Sequence, residues 1–164
     1  MALTDFFTRR PEFEIFPLEK ADVAAAAAIH RSRFAKPWND GEFHSLLAQE
    51  PVFGFIAWQS NTMARAAGGF VMARAAAGEA EILTIGVDRR VESAGLGWRL
   101  MQGAIREARM RDAEALFLEV DEDNAPARRL YAKLGFAKVG ERKAYYADAA
   151  GRRSTALVMR LDLR

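Results

Sequence analysis

Residues 79–120 read EAEILTIGVDRRVESAGLGWRLMQGAIREARMRDAEALFLEV. Glu79–Val87 has the pattern of a strand, with Leu83, Ile85 and Val87 alternating onto one face. Gly95 and Gly97 then interrupt the chain. Beyond them Leu96, Leu100, Met101, Ala104, Ile105 and Ala108 form one stripe of an amphipathic helix over 95–111. Ala115–Val120 is almost wholly apolar and too short for a helix, as expected of a buried central strand. Strand, helix and buried strand together imply a right-handed crossover between two parallel strands.

The flanks extend this unit. Upstream, Glu12–Leu18 reads as an opening strand, and Asp22 can cap an alanine-rich helix running to about Phe34. Asn39 or Asp40 can cap a short helix through Leu47. Val52–Trp58 and Ala66–Ala73 read as an antiparallel hairpin across Gln59-Ser60-Asn61, with Gly68-Gly69 weakening the second strand or marking a bulge. Downstream, a helix over Ala125–Leu134 follows Asp123/Asn124, tolerates Pro126 in its first turn and stops at Gly135. Strands around Phe136–Gly140 and Thr155–Leu161 close the chain, with a polar loop at Asp148–Arg153. The expected fold class is α+β: one mixed sheet of about seven strands with about four helices on both faces.

With 164 residues and no internal repeat or linker, residues 1–164 read as a single domain, with 1–11 as a loose extension. The absence of cysteine excludes disulfides, thiolate metal sites and a cysteine nucleophile, and fits a cytoplasmic location. The first residues, MALTDFFTRRPEF, do not resemble a secretory leader. The longest apolar run, Val23 to Ile29, is too short to span a bilayer, so no membrane partner is expected. A net charge of +2 is too mild to argue direct nucleic-acid binding. Residues 88–111 nevertheless hold six arginines against three acids. His30 and His44 lie on different helices with no ligand spacing around them, so no metal site is expected.

Several residues carry chemistry. The Gly95/Gly97 loop opens a helix, where free amides and the helix dipole make an anion site; a tight turn is the alternative. Glu119 interrupts an apolar strand, and a buried carboxylate must be paired or used unless the strand ends there and faces water. Tyr131 lies two helical turns after Asn124, on the same face, and its phenol can protonate a departing thiolate; it can equally be a core aromatic, and Asn124 a helix cap. The acidic run Glu119, Asp121, Glu122, Asp123 either attracts a cationic amine or is solvated. Trp38, Tyr145 and Tyr146 either line a substrate groove or cover the core.

These segments resemble the GCN5-related N-acetyltransferases. The resemblance lies in Pro37-Trp38, the Ile82–Val87 strand, Leu118-Glu119-Val120, Asn124 with Leu130-Tyr131 and Gly135-Phe136, and Tyr145-Tyr146. Within that superfamily the chain is similar to the type that acetylates the N-terminal alanine of ribosomal protein S18. The resemblance implies acetyl-CoA as co-substrate. Its pantetheine arm would pair with the backbone of Ile85, Gly86 and Val87. Its pyrophosphate would rest on amides of Ser93, Ala94, Gly95, Leu96, Gly97 and Trp98, with Asn124 as a further contact. Glu119 would be the general base and Tyr131 the general acid near the thioester sulfur, twelve residues apart as in that type. The implied acceptor is a protein N-terminus or a small amine, and the implied state a monomer or weak dimer.

One departure stands out. The family loop reads Q/R-x-x-G-x-G/A, whereas this chain has Glu92-Ser93-Ala94-Gly95-Leu96-Gly97. The amide cradle survives, but the lost electrostatic help could cost about 1 kcal/mol per missing exposed contact. Arg89, Arg90 and Arg99 lie close enough in sequence to compensate in part. A non-catalytic CoA-binding module and an arginine-rich ribosome- or RNA-associated protein are the readings from other classes.

Overall fold

The structure, a computed structural model, describes residues 10–164; residues 1–9, most of the expected loose extension, lie outside the described residues. Residues 10–12 are tied down. Asn61 Nδ2 donates to the Arg10 carbonyl at 2.9 Å, and the Glu12 amide donates to Asn61 Oδ1 at 3.1 Å.

Seven strands form one sheet: β1 Phe13–Pro17, β2 Val52–Gln59, β3 Ala67–Ala76, β4 Glu79–Val87, β5 Ala115–Asp121, β6 Ala137–Ala147 and β7 Arg153–Asp162, in the order β1-β2-β3-β4-β5-β7-β6. Neighbours are antiparallel except β4 and β5, which are joined by the crossover helix and run parallel. Helices α1 (Val23–Arg33) and α2 (Asp40–Leu47) cover one face around Ile56, Phe70 and Met72; α3 (Leu96–Met110) and α4 (Ala125–Leu134) cover the other. The expected α3 stripe is buried at every position from Leu96 to Ala108. Among the described residues two 3₁₀ turns, Lys20–Asp22 and Arg89–Ala94, add to the four helices.

Local chemistry explains the boundaries. Asn39 starts α2 with a capping box: its side chain accepts from the Glu42 amide at 2.9 Å while Glu42 Oε2 accepts from the Asn39 amide at 2.7 Å. Asp22 does not cap α1 as expected; its carboxylate accepts from the Glu19 amide at 2.9 Å, closing the 3₁₀ turn ahead of the helix. Gly68 is the bulged residue between Ala57 and Trp58 of β2, and a Cβ there would stand 2.4 Å from the Phe13 ring. A second bulge corrects the reading of β4. Met72 pairs with Thr84 and Ala73 with Ile82, so Leu83 is the extra residue. It turns onto the α1/α2 face, while Ile82, Ile85 and Val87 face α3. β6 runs seven residues past Gly140 because β7 pairs with it across an irregular stretch, not because its side chains are buried.

Candidate active site

The site begins where β4 and β5 part. They pair only at Glu79–Ala115, Ala80–Leu116 and Glu81–Phe117. Beyond that β4 stays bonded to β3 as far as Val87, and β5 to β7 as far as Asp121. The facing edges of 82–87 and 118–121 therefore carry backbone groups with no strand partner, and such groups need one. Ile85, Gly86 and Val87 lie on the β4 edge of this gap. Gly86 is closely packed: a Cβ there would meet the Phe70 ring at 3.0 Å and Ile29 at 3.2 Å.

At the mouth of the gap the chain turns through Arg89–Ala94 into α3. Gly95, its N-cap, has φ +71° and nothing within 4 Å of an added Cβ, so it is needed for its backbone conformation. α3 has no side-chain cap, in contrast to α4, where Asn124 Oδ1 accepts from the Ala127 amide at 3.2 Å. The amides of Leu96, Gly97 and Trp98 thus open the helix uncapped, as an anion site requires. Gly97 serves packing: a Cβ there would press on Leu130 of α4 at 3.1 Å. The Leu96 side chain is fully buried, and Ser93 and Trp98 are exposed, so this segment can offer a ligand its backbone together with the Ser93 hydroxyl and the Trp98 indole.

The charges around this turn are mostly engaged. Arg90 grips Asp88, with Nη2 at 2.8 Å from Oδ2, and that hydrogen bond above all holds the Asp88 carboxyl below its usual range. Arg99 makes no ion pair with Glu92: its guanidinium donates to the Phe13 carbonyl of β1 at 2.9 Å and keeps its charge there. Glu92 instead pairs with Arg33, the last residue of α1.

Glu119 and Tyr131 approach from opposite faces. Leu118 and Val120 point into the α3/α4 core, so the intervening Glu119 points to the α1/α2 face, half-buried, with Oε1 at 3.1 Å from Arg142 Nη2. Tyr131 is buried in the α3/α4 core, its ring edge-on to Phe136 at 5.8 Å. Burial pushes its phenol up to about 12, with Tyr146 adding to the shift. Tyr146 is the link between them. Its own phenol is pushed up to about 12, first by burial and then by the charge of Glu119, with Tyr145 and Asp121 behind. Tyr145, more exposed, meets Tyr146 edge-on at 5.2 Å.

The acidic run has structural uses beyond Glu119. Asp121 accepts from the Asp123 amide at 3.0 Å, and Glu122 from the Thr155 amide at 3.1 Å. Trp38 packs on the α1/α2 cluster, whereas the two tyrosines come from β6. The Trp38 amide donates to His30 Nδ1 at 3.1 Å and its ring stacks on His30 at 5.0 Å. A depression of about 320 Å³ beside it is lined by Trp38, Glu42, Ser45 and Leu46. His30 is a core residue, and burial lowers its imidazole to about 4. Its spacing after Ala26 and Ala27, which puts it on the buried stripe of α1, is the signal that could have found it. Arg142 and Arg33 had no such signal. A cleft of about 440 Å³ at the far end of α3, lined by Leu18, Phe53, Glu107 and Arg111 among others, shares none of the site residues. Among the described residues no cluster of three or more His, Asp or Glu suits a metal, and no helix is long and apolar enough to cross a membrane.

Comparison with known proteins identifies the fold and the family. The [Ribosomal protein bS18]-alanine N-acetyltransferase of Escherichia coli K12 is 34% identical over 149 residues, 91% of this chain and 97% of that protein. The crystal structure of the ribosomal-protein-S18-alanine N-acetyltransferase from Escherichia coli superposes with a TM-score of 0.82 at 32% identity, covering 93% of this chain and 94% of that one. Arabidopsis thaliana NAA60, solved in complex with acetyl-CoA, shares the fold with a TM-score of 0.82 at 18% identity, covering 92% and 98%. The sequence profile of the acetyltransferase (GNAT) family matches residues 23–136, which span the gap, the uncapped helix, Glu119 and Tyr131. The chain belongs to the GNAT family of N-acetyltransferases.

Proposed function

We propose that this protein moves an acetyl group from acetyl-CoA to the N-terminal α-amine of a protein, with ribosomal protein S18 as the specific acceptor. The observation that carries the reading is the parting of β4 and β5 between an uncapped helix N-terminus and the Glu119/Tyr131 pair. The pantetheine arm would complete the open edge at Ile85, Gly86 and Val87, and the pyrophosphate would rest on amides from Ser93 to Trp98. Asn124 spends its Oδ1 on capping α4, so its contact with the co-substrate falls to the amide nitrogen. The S18 acceptor is favoured by the 34% identity along nearly the whole length of a bS18-alanine acetyltransferase. An enzyme acting on a ribosomal protein works in the cytoplasm, and a single 1–164 domain, as monomer or weak dimer, supplies every residue invoked.

In this reading the amine attacks the thioester carbonyl directly. An α-ammonium has a reference pKa near 8, so Glu119, acting through water, takes one proton before attack; the second leaves the nitrogen as the tetrahedral adduct collapses and passes through water to the departing CoA thiolate or to solvent. Arg142 Nη2 lies 3.1 Å from Glu119 Oε1, and Oε2 would be the oxygen that serves the acceptor. Amides near Val87 polarise the carbonyl as negative charge develops on its oxygen. Tyr131 stays protonated across the working range and donates towards the leaving sulfur. Complete transfer from a phenol near 12 to a thiolate near 8.5 is uphill by roughly 5 kcal/mol. The phenol therefore stabilises the thiolate chiefly as a hydrogen-bond donor until CoA leaves. Trp38, Tyr145 and Tyr146 form the acceptor walls.

The test is incubation of the protein with acetyl-CoA and a panel of peptides, the S18 N-terminus among them, alongside small amines, with products read by mass. Acetylation of the S18 α-amine supports the proposal. Acetylation of small amines alone makes the protein a small-molecule acetyltransferase, and CoA binding without any product makes it a binding module.

A further inference from the structure

Glu92 sits three residues before Gly95, where the loop motif of related enzymes carries glutamine or arginine, and it is the oddest residue for an anion site. Its carboxylate is more than half exposed, and Arg33 Nη1 stands 2.5 Å from its Oε1 across 59 positions of sequence. The rest of the turn offers little relief. Asp88 and Arg90 neutralise each other through two short contacts, Arg99 is bonded to β1, and Arg89 alone remains basic there without a partner among the described residues.

We propose that Arg33 is a positioning residue for the acetyl-CoA loop: delivered from the end of α1, it cancels the charge of Glu92 and holds that carboxylate off the anion site at the start of α3. The inference rests on the acetyl-CoA reading above. Three features make Arg33 suited to the task. As the last residue of α1 it lies at a helix C-terminus, where the dipole favours a cation. The turn that carries it is anchored, because Phe34 stacks on buried His30 at 4.2 Å. Its charge also reaches Asp88, whose carboxyl it helps to lower, so it serves both acids of the turn. A loop whose own sequence lost the helper cation thereby regains one from another element. His30 of the same helix turn holds the Trp38 amide, so the end of α1 braces the acceptor wall as well as the co-substrate loop.

The experiment is calorimetric titration of CoA into the full-length wild type, Arg33→Met, Glu92→Gln and the double variant, at low and high salt. At low salt Arg33→Met should bind CoA about fivefold more weakly, because an unpaired carboxylate then lies within a Debye length of the pyrophosphate. The deficit should shrink at high salt, and the double variant should return to within about twofold of wild type. Glu92→Gln alone should bind at least as tightly as wild type, and this arm does not depend on how well Arg33→Met folds. Unchanged binding in Arg33→Met, a double variant as weak as Arg33→Met, or weaker binding in Glu92→Gln would each overturn the proposal. A wild type that binds no CoA overturns the acetyl-CoA reading and this inference with it, a result recognisable because all four titrations are then flat.

Discussion

Replacing Tyr131 with phenylalanine removes one oxygen and leaves the ring against Phe136, so the core around α4 should stay packed. The variant separates two consequences of one buried phenol. The first is catalytic: a positioned donor contributes about 10²- to 10⁴-fold, and turnover should fall by at least the lower figure. Because the wild-type phenol stays protonated up to about 12, the loss should be the same at every pH from 6 to 9, with no new inflection. The second is thermodynamic. The phenol's pKa rises from 10.0 in the unfolded chain to about 12 in the fold, so the neutral form is favoured on folding. The stability tied to it is fully present below pH 10 and is lost as pH rises towards 12. Two units correspond to about 2.7 kcal/mol in all, of which about 1.4 kcal/mol should be gone by pH 11. Urea unfolding of both proteins at pH 9, 10 and 11 reads this as a narrowing gap between them. A gap that stays constant refutes the buried phenol, and undiminished turnover refutes its role as donor.

Glu119→Gln should lower turnover by about 10²-fold or more with little change in the KM for acetyl-CoA, and should move the pH–rate profile up towards the amine's own pKa near 8; an unmoved profile counts against a base role. His30 is held neutral, near 4 against a usual 6.5, so its contribution is present above pH 6.5 and lost as pH falls towards 4. Acidification from pH 7 to 5 should therefore cost the wild type about 2 kcal/mol more than His30→Phe, measured by denaturant titration. Gly68→Ala forces a methyl to within 2.4 Å of the Phe13 ring and 2.7 Å of Leu96, and should destabilise by about 1–3 kcal/mol in a urea melt.

What could be read from the sequence was what repeats locally. The α3 stripe, the apolar β5 and the Asn124–Gly135 brackets of α4 each announce themselves within a dozen residues, and together they carry the order of elements. The β4 bulge did not, because Ile82, Leu83 and Ile85 are all apolar and a strand with one extra residue has the same composition as one without. The extent of β6 beyond Gly140 was hidden because Glu141, Arg142 and Lys143 show no burial pattern; pairing of Glu141 and Arg142 with β7 carries the strand on. Glu119 and Tyr131 were found individually, but their environment depends on contacts distant in sequence. Arg142 reaches Glu119 across β7, and Tyr146 returns to the pair only after the irregular stretch of β6. The aim of Arg99 was hidden for the same reason: nearness to Glu92 in sequence says nothing of where a helix turn points its guanidinium, which here reaches the Phe13 carbonyl.

Mechanically, the sheet is two panels hinged on a seam three residue pairs long, β1 to β4 on one side and β5, β7 and β6 on the other. A ligand that filled the gap as proposed would be bonded to one panel through β4 and lean on the other through β5, so its binding free energy would also be adhesion between the panels. The stabilisation it confers, RT ln(1 + [L]/Kd), would then fall largely on the seam and only weakly on the rest of the sheet. Residues in the seam, such as the buried pair Ala80 and Leu116, would thereby contribute to affinity from beneath the gap.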